Sequence, residues 1–244
     1  MKVDILAFGV HPDDIELGCS GTLIKSIEQG KKVAIVDLTQ GELGTRGTAA
    51  TRAKEAADAA AIMGVHAREN LQLADGFFQI NETSIRKVIV AIRKYQPSIV
   101  LCNAVEDRHP DHGRAAQLVD EAAFLAGLRK VETTDATGNA QTAWRPTYVM
   151  HYIQDRYLQP DFLFDISDVM DKKQAAILAY GTQFNIVEPG NEPTTYISSP
   201  DFLDTIVGRN QLFGKRIGVK YAEGFISKKM IGITDFNAIV QHTT

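Results

Sequence analysis

Apolar residues fall along this chain in two alternating rhythms. Short, mainly apolar runs of strand length, such as "VDILAFGV" at 3–10 and "KKVAIVDLT" at 31–39, give way to segments with apolar positions every three or four residues. The runs predict strands over 3–10, 31–39, 69–75 and 98–104, the last ("SIVLCNA") apolar throughout. The longer segments predict helices over 21–30, 49–64, 82–97 and 113–128, with Gly30, Gly64 and Pro97 as stop signals for the first three. After them comes "VETTDATGNAQTA" (131–143), polar and aperiodic, which reads as a loop within one domain. Two more strands follow at 146–153 and 161–167, and two more helices at 168–184 and 199–218. A loop rich in Pro, Gly and Asn, 185–200, separates those helices. No low-complexity tract or long-period repeat interrupts the pattern.

Strands alternating with helices of this length make βαβ units, a parallel sheet and right-handed crossovers. The expectation is a single α/β domain over residues 1–244, doubly wound, with helices on both faces of a mainly parallel sheet. In a sheet of order 3-2-1-4-5, strands 1 and 4 are neighbours, and the crevice at their carboxyl ends binds ligands. "HPDD" (11–14) directly follows strand 1, and "HPDH" (109–112) follows strand 4 after the connection "VEDR". Topology thus places both stretches on one rim.

The residue types at that rim narrow the chemistry. Imidazole nitrogen and carboxylate oxygen are zinc ligands, and a catalytic zinc keeps three protein ligands with one open position. His11, Asp14 and His112 supply two nitrogens and one oxygen, leaving Asp13 free as a general base and His109 as a cation or proton donor facing an oxyanion. The competing reading is structural: Asp13 or Asp14 capping the first helix, and Asp111 capping one that starts near Gly113. The other histidines read differently: His66 as solvated, His242 as part of a polar tail, and His151 as a satisfied core histidine. "GELGTRG" (41–47) is glycine-rich, but it follows strand 2 and lacks the lysine-serine pair of a P-loop; it reads as a flexible loop bordering the crevice.

Composition adds mainly exclusions. At 44% hydrophobic, 23% charged and a net charge of −4, the chain offers no electrostatic reason for nucleic acid or a membrane surface as partner. No signal peptide is read in "MKVDILAFGV", and no run approaches the roughly 18 apolar residues of a membrane span. Cys19 and Cys102, without CxxC spacing, read as buried hydrophobes in a reduced, cytoplasmic setting.

"HPDD", "GELGTRGTAATRAKEA" and "HPDH", each in its place after strands 1, 2 and 4, resemble the LmbE-like or PIG-L family of zinc-dependent N-acetylglucosaminyl deacetylases. "TTYISSPDFLD" (194–204) and "GVKYAEGF" (218–225) resemble the subgroup that deacetylates N-acetylglucosaminyl malate in bacillithiol biosynthesis. The resemblance implies a Rossmann-like fold and hydrolysis of an N-acetyl group on a small amino-sugar conjugate. It implies zinc, with ferrous iron as the alternative metal, and a homo-oligomer, commonly a hexamer. It matches His11, Asp14 and His112 to the metal ligands, Asp13 to the general base, His109 to the oxyanion histidine and Asp111 to the carboxylate orienting it. Arg52, Asp75 and Tyr196 fall at substrate-contacting positions. Deacetylation of another N-acetyl sugar, such as a chitin disaccharide, and a non-catalytic sugar- or metal-binding module are the rival readings.

Overall fold

The structure, a computed structural model, describes residues 1–184, 193–199 and 201–239. The chain alternates as expected through β1 (Ile5–Gly9), α1 (Asp14–Gly18), α2 (Ser20–Glu28), β2 (Val33–Thr39), α3 (Ala49–Met63) and β3 (Ala67–Leu73). It continues through α4 (Glu82–Tyr95), β4 (Ile99–Cys102), α5 (Pro110–Ala126), β5 (Tyr148–Tyr152) and β6 (Phe162–Asp165). The last elements are α6 (Met170–Leu178), α7 (Phe202–Ile217) and β7 (Ala222–Ser227). The seven strands form one sheet of order β3-β2-β1-β4-β5-β7-β6. Pairings from β3 through β5 are parallel, and β7 runs antiparallel to both its neighbours.

The strands are largely apolar because both faces of the sheet are covered; in β2 the buried Asp37 is paired with Arg68. In β1, Leu6 and Phe8 pack with Val88 and Ile92 of α4 and Leu118 and Val119 of α5. Ile5 and Ala7, on the opposite face, pack with Leu23 and Ile24 of α2 and Met170 of α6. The same alternation divides β2, with Ala34 and Val36 on one side and Val33 and Ile35 on the other. Cys19 and Cys102 are both free and buried. Among the described residues, no helix is long and apolar enough to cross a membrane.

Three local readings change. Strand β7 has no counterpart in the apolar pattern, because the buried Glu223 and Gly224 interrupt its run. Helix α5 starts at Pro110 rather than Gly113, since proline at the first helical position is already set for the turn and His109 takes the cap. Helix α6 ends at Leu178 rather than 184. There Thr182 turns toward α3, donating from its amide and hydroxyl to the Glu55 carboxylate at 2.7 and 2.9 Å. His242 lies outside the described residues, as does part of the 185–200 loop.

The buried glutamate that hid β7 fastens the start of the chain. Glu223 accepts from the amides of Gly21 and Thr22 at 3.0 and 2.7 Å, capping α2, and pairs with Lys173 at 2.7 Å. Lys173 also donates to the carbonyls of Glu16 and Leu17 at the end of α1. Helix α1 is only five residues long, so its position depends on this pair. Lys173→Met is expected to strand the Glu223 charge and cost about 3–5 kcal/mol of stability, read from urea unfolding midpoints.

Candidate active site

Both His-Pro-Asp stretches meet at the carboxyl ends of β1 and β4. Strand β1 ends at Gly9, and the next amide, Val10, donates to the Asn103 side chain just beyond β4 at 3.0 Å. The turn that follows puts Asp13 at φ 136°, a conformation that non-glycine residues rarely hold. Asp13 occupies the cap position of α1 but makes no side-chain capping bond. That twist sends two adjacent carboxylates in different directions.

Asp14 faces a corner built to hold it. Its Oδ2 accepts from the His11 amide at 3.0 Å and from Asn103 Nδ2 at 2.9 Å, and its Oδ1 accepts from Gln154 Nε2 at 2.8 Å. Two histidines flank it, each with its other ring nitrogen taken by a carboxylate. His112 Nδ1 lies 2.7 Å from Asp107, and its Nε2 is 3.2 Å from Asp14. His11 Nε2 lies 2.9 Å from Asp75, and its Nδ1 is 3.6 Å from Asp14. Outer carboxylates of this kind fix which nitrogen a metal-binding histidine presents. Here both remaining nitrogens converge on Asp14. The ligand atoms of His11, His109 and His112 also come within 4.8 Å of one another, as do those of His11, Asp75 and Asp111. This donor set of imidazole nitrogen and carboxylate oxygen fits zinc or ferrous iron.

The electrostatics agree with a cage made for a cation. Burial alone would lower the His11 pKa, but hydrogen bonds and charge from Asp14 and Asp75 push it up to about 10. Burial of His112 is likewise outweighed, chiefly by Asp14 and Asp107, and its pKa rises to about 9. Asp14 sits well below the usual carboxylate range: burial opposes this, and His112 and His11 override it. Asp13 behaves in the opposite sense. Burial raises it to about 7, against the pull of Arg52 and with the help of Asp14. Two neighbouring carboxylates with pKa values driven apart is the pattern of a ligand beside a base.

His109 stands on the other wall, its ring 4.7 Å from that of His11 and 5.4 Å from that of His112. Its Nδ1 accepts from the Asp111 amide at 3.3 Å. The expected contact between the Asp111 carboxylate and His109 is replaced by others. Because α5 starts at Pro110, Asp111 lies in its first turn, where it accepts from the Gly76 amide and from Arg114 at 2.8 and 2.6 Å.

The three substrate-contact candidates are placed differently from one another. Arg52 is buried at 4% exposure rather than on the free face of α3. Its Nη2 donates to Asp13 Oδ2 at 2.9 Å and to the Pro12 carbonyl. Asp75 is taken up by His11 and by the Leu43 amide at 3.0 Å. Tyr196, half exposed at the mouth, donates to Asp155 at 3.0 Å and carries Arg108 over its ring. All three line a cavity of about 330 Å³ together with His11, Asp13 and His109. The "GELGTRG" segment borders it too, but as a fastened loop: Glu42 accepts from the Asp75 amide, and Arg46 donates to the Thr182 carbonyl.

Asp107, Asn103 and Gln154 are site residues that the motifs did not name. Asp107 was within reach, in the same connection that leads from β4 to His109. Gln154 follows β5, the next strand on the same rim, and carries no local signal. His151, read as a satisfied core residue, is fully buried with Nδ1 2.9 Å from the Asn103 carbonyl. Its Nε2, 3.3 Å from Asp120, lacks hydrogen-bond geometry. His66 is exposed, as expected.

Arg52→Ala is expected to lower kcat by about 10–100-fold with bound metal retained, because a charged hydrogen bond to Asp13 is lost. Steady-state kinetics alongside metal analysis of the variant check this.

Deacetylases are among the known proteins to which the chain is similar. The chain is 30% identical over 230 residues to the diacetylchitobiose deacetylase of Thermococcus kodakarensis, covering 90% of this chain and 81% of that one. The crystal structure of the conserved protein TT1542 of Thermus thermophilus superposes with a TM-score of 0.84 at 34% identity, covering 96% of this chain and 98% of that one. The 4-oxalmesaconate hydratase of Pseudomonas putida is 26% identical over 196 residues, 75% of each chain. The family model described as PIG-L, GlcNAc-PI de-N-acetylase, matches residues 6–123, which include both His-Pro-Asp stretches. On these grounds the protein is an enzyme and belongs to the PIG-L family.

Proposed function

We propose that this enzyme hydrolyses the N-acetyl group of an N-acetylglucosamine conjugate. One observation carries the reading: Asp14 is locked by three donors between two histidines, while its neighbour Asp13, twisted to φ 136°, faces the cavity with Arg52 as its one side-chain partner among the described residues. A binding module has no use for the second carboxylate. His11, Asp14 and His112 would hold the metal, with Asp75 and Asp107 fixing the histidine nitrogens. A divalent zinc or iron bound there supplies Lewis acidity toward the acetamide carbonyl and lowers the pKa of water.

The chain's own groups do the rest. Asp13 accepts the proton of the attacking water and delivers it to the departing amine, and its pKa near 7 suits both transfers. Arg52 holds Asp13 in place and keeps it from rising further. His109 accepts a backbone amide at Nδ1, which leaves its ring proton on Nε2 as a donor for the carbonyl oxygen that becomes negative. Asp111 holds the Gly76 turn and Arg114 beside these histidines, an indirect role.

The aglycone is a finer matter. A chitin disaccharide is supported by the diacetylchitobiose deacetylase relative. N-acetylglucosaminyl malate, the bacillithiol precursor, is supported by the "TTYISSPDFLD" and "GVKYAEGF" segments. The hydratase relative shows that this fold also hosts addition of water to a carbon centre, so the reaction is proposed from the site. Amine release from N-acetylglucosaminyl malate, N,N'-diacetylchitobiose and free N-acetylglucosamine, with metal analysis of the same sample, tests the assignment. Release from none of them by a metal-replete sample overturns it.

A further inference from the structure

Beneath the site lies a buried histidine that the proposed chemistry does not use. His151 sits on β5 in register with Cys102 of β4, and it is fully buried. Its Nδ1 is 2.9 Å from the Asn103 carbonyl and 3.3 Å from Cys102 Sγ. Its Nε2 faces Asp120 of α5 at 3.3 Å, and Asp120 pairs in turn with Lys228. A carbonyl oxygen only accepts, so Nδ1 carries a proton, and the carboxylate opposite Nε2 favours a second one. Burial alone would lower the pKa of this ring, but Cys102 and Asp120 push it up to about 11.

Burying a charged ring is unfavourable even when it is paired, and an apolar residue would fill the same space. The reason for a histidine here lies in Asn103. The β4–β5 pairing ends at Cys102 and His151, one residue short of Asn103. The Asn103 carbonyl therefore lies past the ladder, and the His151 ring supplies its donor. The buried Asn103 side chain is engaged at both ends. Its Oδ1 accepts from the Val10 amide after β1 at 3.0 Å, and its Nδ2 donates to Asp14 Oδ2 at 2.9 Å. The peptide that the ring fixes thus aims the amide group that holds Asp14. Without the ring, the carbonyl is left buried and unpaired, and the peptide turns to find another donor.

We propose that His151 is a positioning residue for the metal site: its ring fixes Asn103 and, through Asn103, the Asp14 carboxylate, with Asp120 as counter-ion. The proposal rests on the reading of Asp14 as a metal ligand. It extends that reading from the groups that touch Asp14 to one that does not.

The test measures the zinc affinity of the whole protein by competition with a chromophoric chelator. His151→Leu fills the space without a donor and is expected to weaken zinc binding about tenfold, the low end of the range for groups that orient a ligand. His151→Asn places an amide nitrogen near the former Nδ1 and is expected to recover most of that loss. Asparagine is the poorer strand former and leaves a void, so its variant is expected to melt at the lower temperature of the two. A purely structural histidine predicts the reverse, with affinity following stability. Equal zinc affinity in the parent and His151→Leu, or no recovery in His151→Asn, overturns the proposal. Should His151→Leu fail to fold, hydrogen exchange of the His151 Nδ1 proton in the parent decides. Zinc is expected to slow it more than it slows the Trp144 indole proton, which the Pro97 carbonyl holds at 2.7 Å near the opposite end of β4. Equal slowing of both overturns the proposal. A parent protein that binds no zinc overturns the metal-site reading and this proposal with it, a result distinct from a parent and variant that bind alike.

Discussion

Asp13→Asn is expected to keep its metal and its fold while losing roughly 10²–10⁴ in rate, the range for a removed general base. The substitution is well matched to the question. Asparagine has the shape of aspartate and tolerates positive φ better than most residues, so the strained turn at Asp13 persists. Only the ability to accept a proton disappears. Arg52 loses its ionic partner but keeps the Pro12 carbonyl. Equal metal content and melting temperature in the variant and parent isolate the chemical step. Near-parental turnover in a metal-replete sample would show that another group takes the proton.

The second large effect is loss of the metal. His11→Ala, Asp14→Ala and His112→Ala are each expected to purify without stoichiometric metal. Substitution of His112 removes one of the three proposed ligands and frees Asp107 and Asp14 together, so some loss of stability is expected as well. Thermal unfolding with and without added zinc separates the two effects. A ligand that binds only the folded state stabilises it by about 2.7 kcal/mol at 100 times its Kd. Zinc is expected to raise the melting temperature of the parent protein and leave that of each variant unmoved. A variant with a full zinc-induced rise identifies a residue outside the ligand set.

Much of this architecture was legible in the chain itself. Largely apolar runs at β1, β2 and β4 announced strands covered on both faces, and their alternation with helices set the order on which the crevice depends. Chain order alone then brought His11 and His112 together from opposite ends of the N-terminal half. What the sequence hid was of two kinds. Strand β7 owes its place to a buried Glu223 whose cost is met by Lys173 and the α2 amides, and pattern reading registers such a residue as polar. The second kind is side-chain partnership. Arg52 and Asp75 both reach the cavity, yet their charges are committed to Asp13 and His11. Nothing in "TRAKEA" or "LADG" distinguishes a residue that holds the base or a ligand from one that holds the substrate.

The central claim is that the two carboxylates divide ligand and base duties in cleaving an amide. Its most direct measurement is the stoichiometry of products from metal-loaded enzyme incubated with an N-acetylglucosamine glycoside. Acetate and free primary amine are expected to appear in equal amounts, at a rate abolished by chelation and restored by zinc or ferrous iron. A substrate that stays fully N-acetylated through many equivalents of metal-replete enzyme, across neutral and anionic glycosides, would contradict the account.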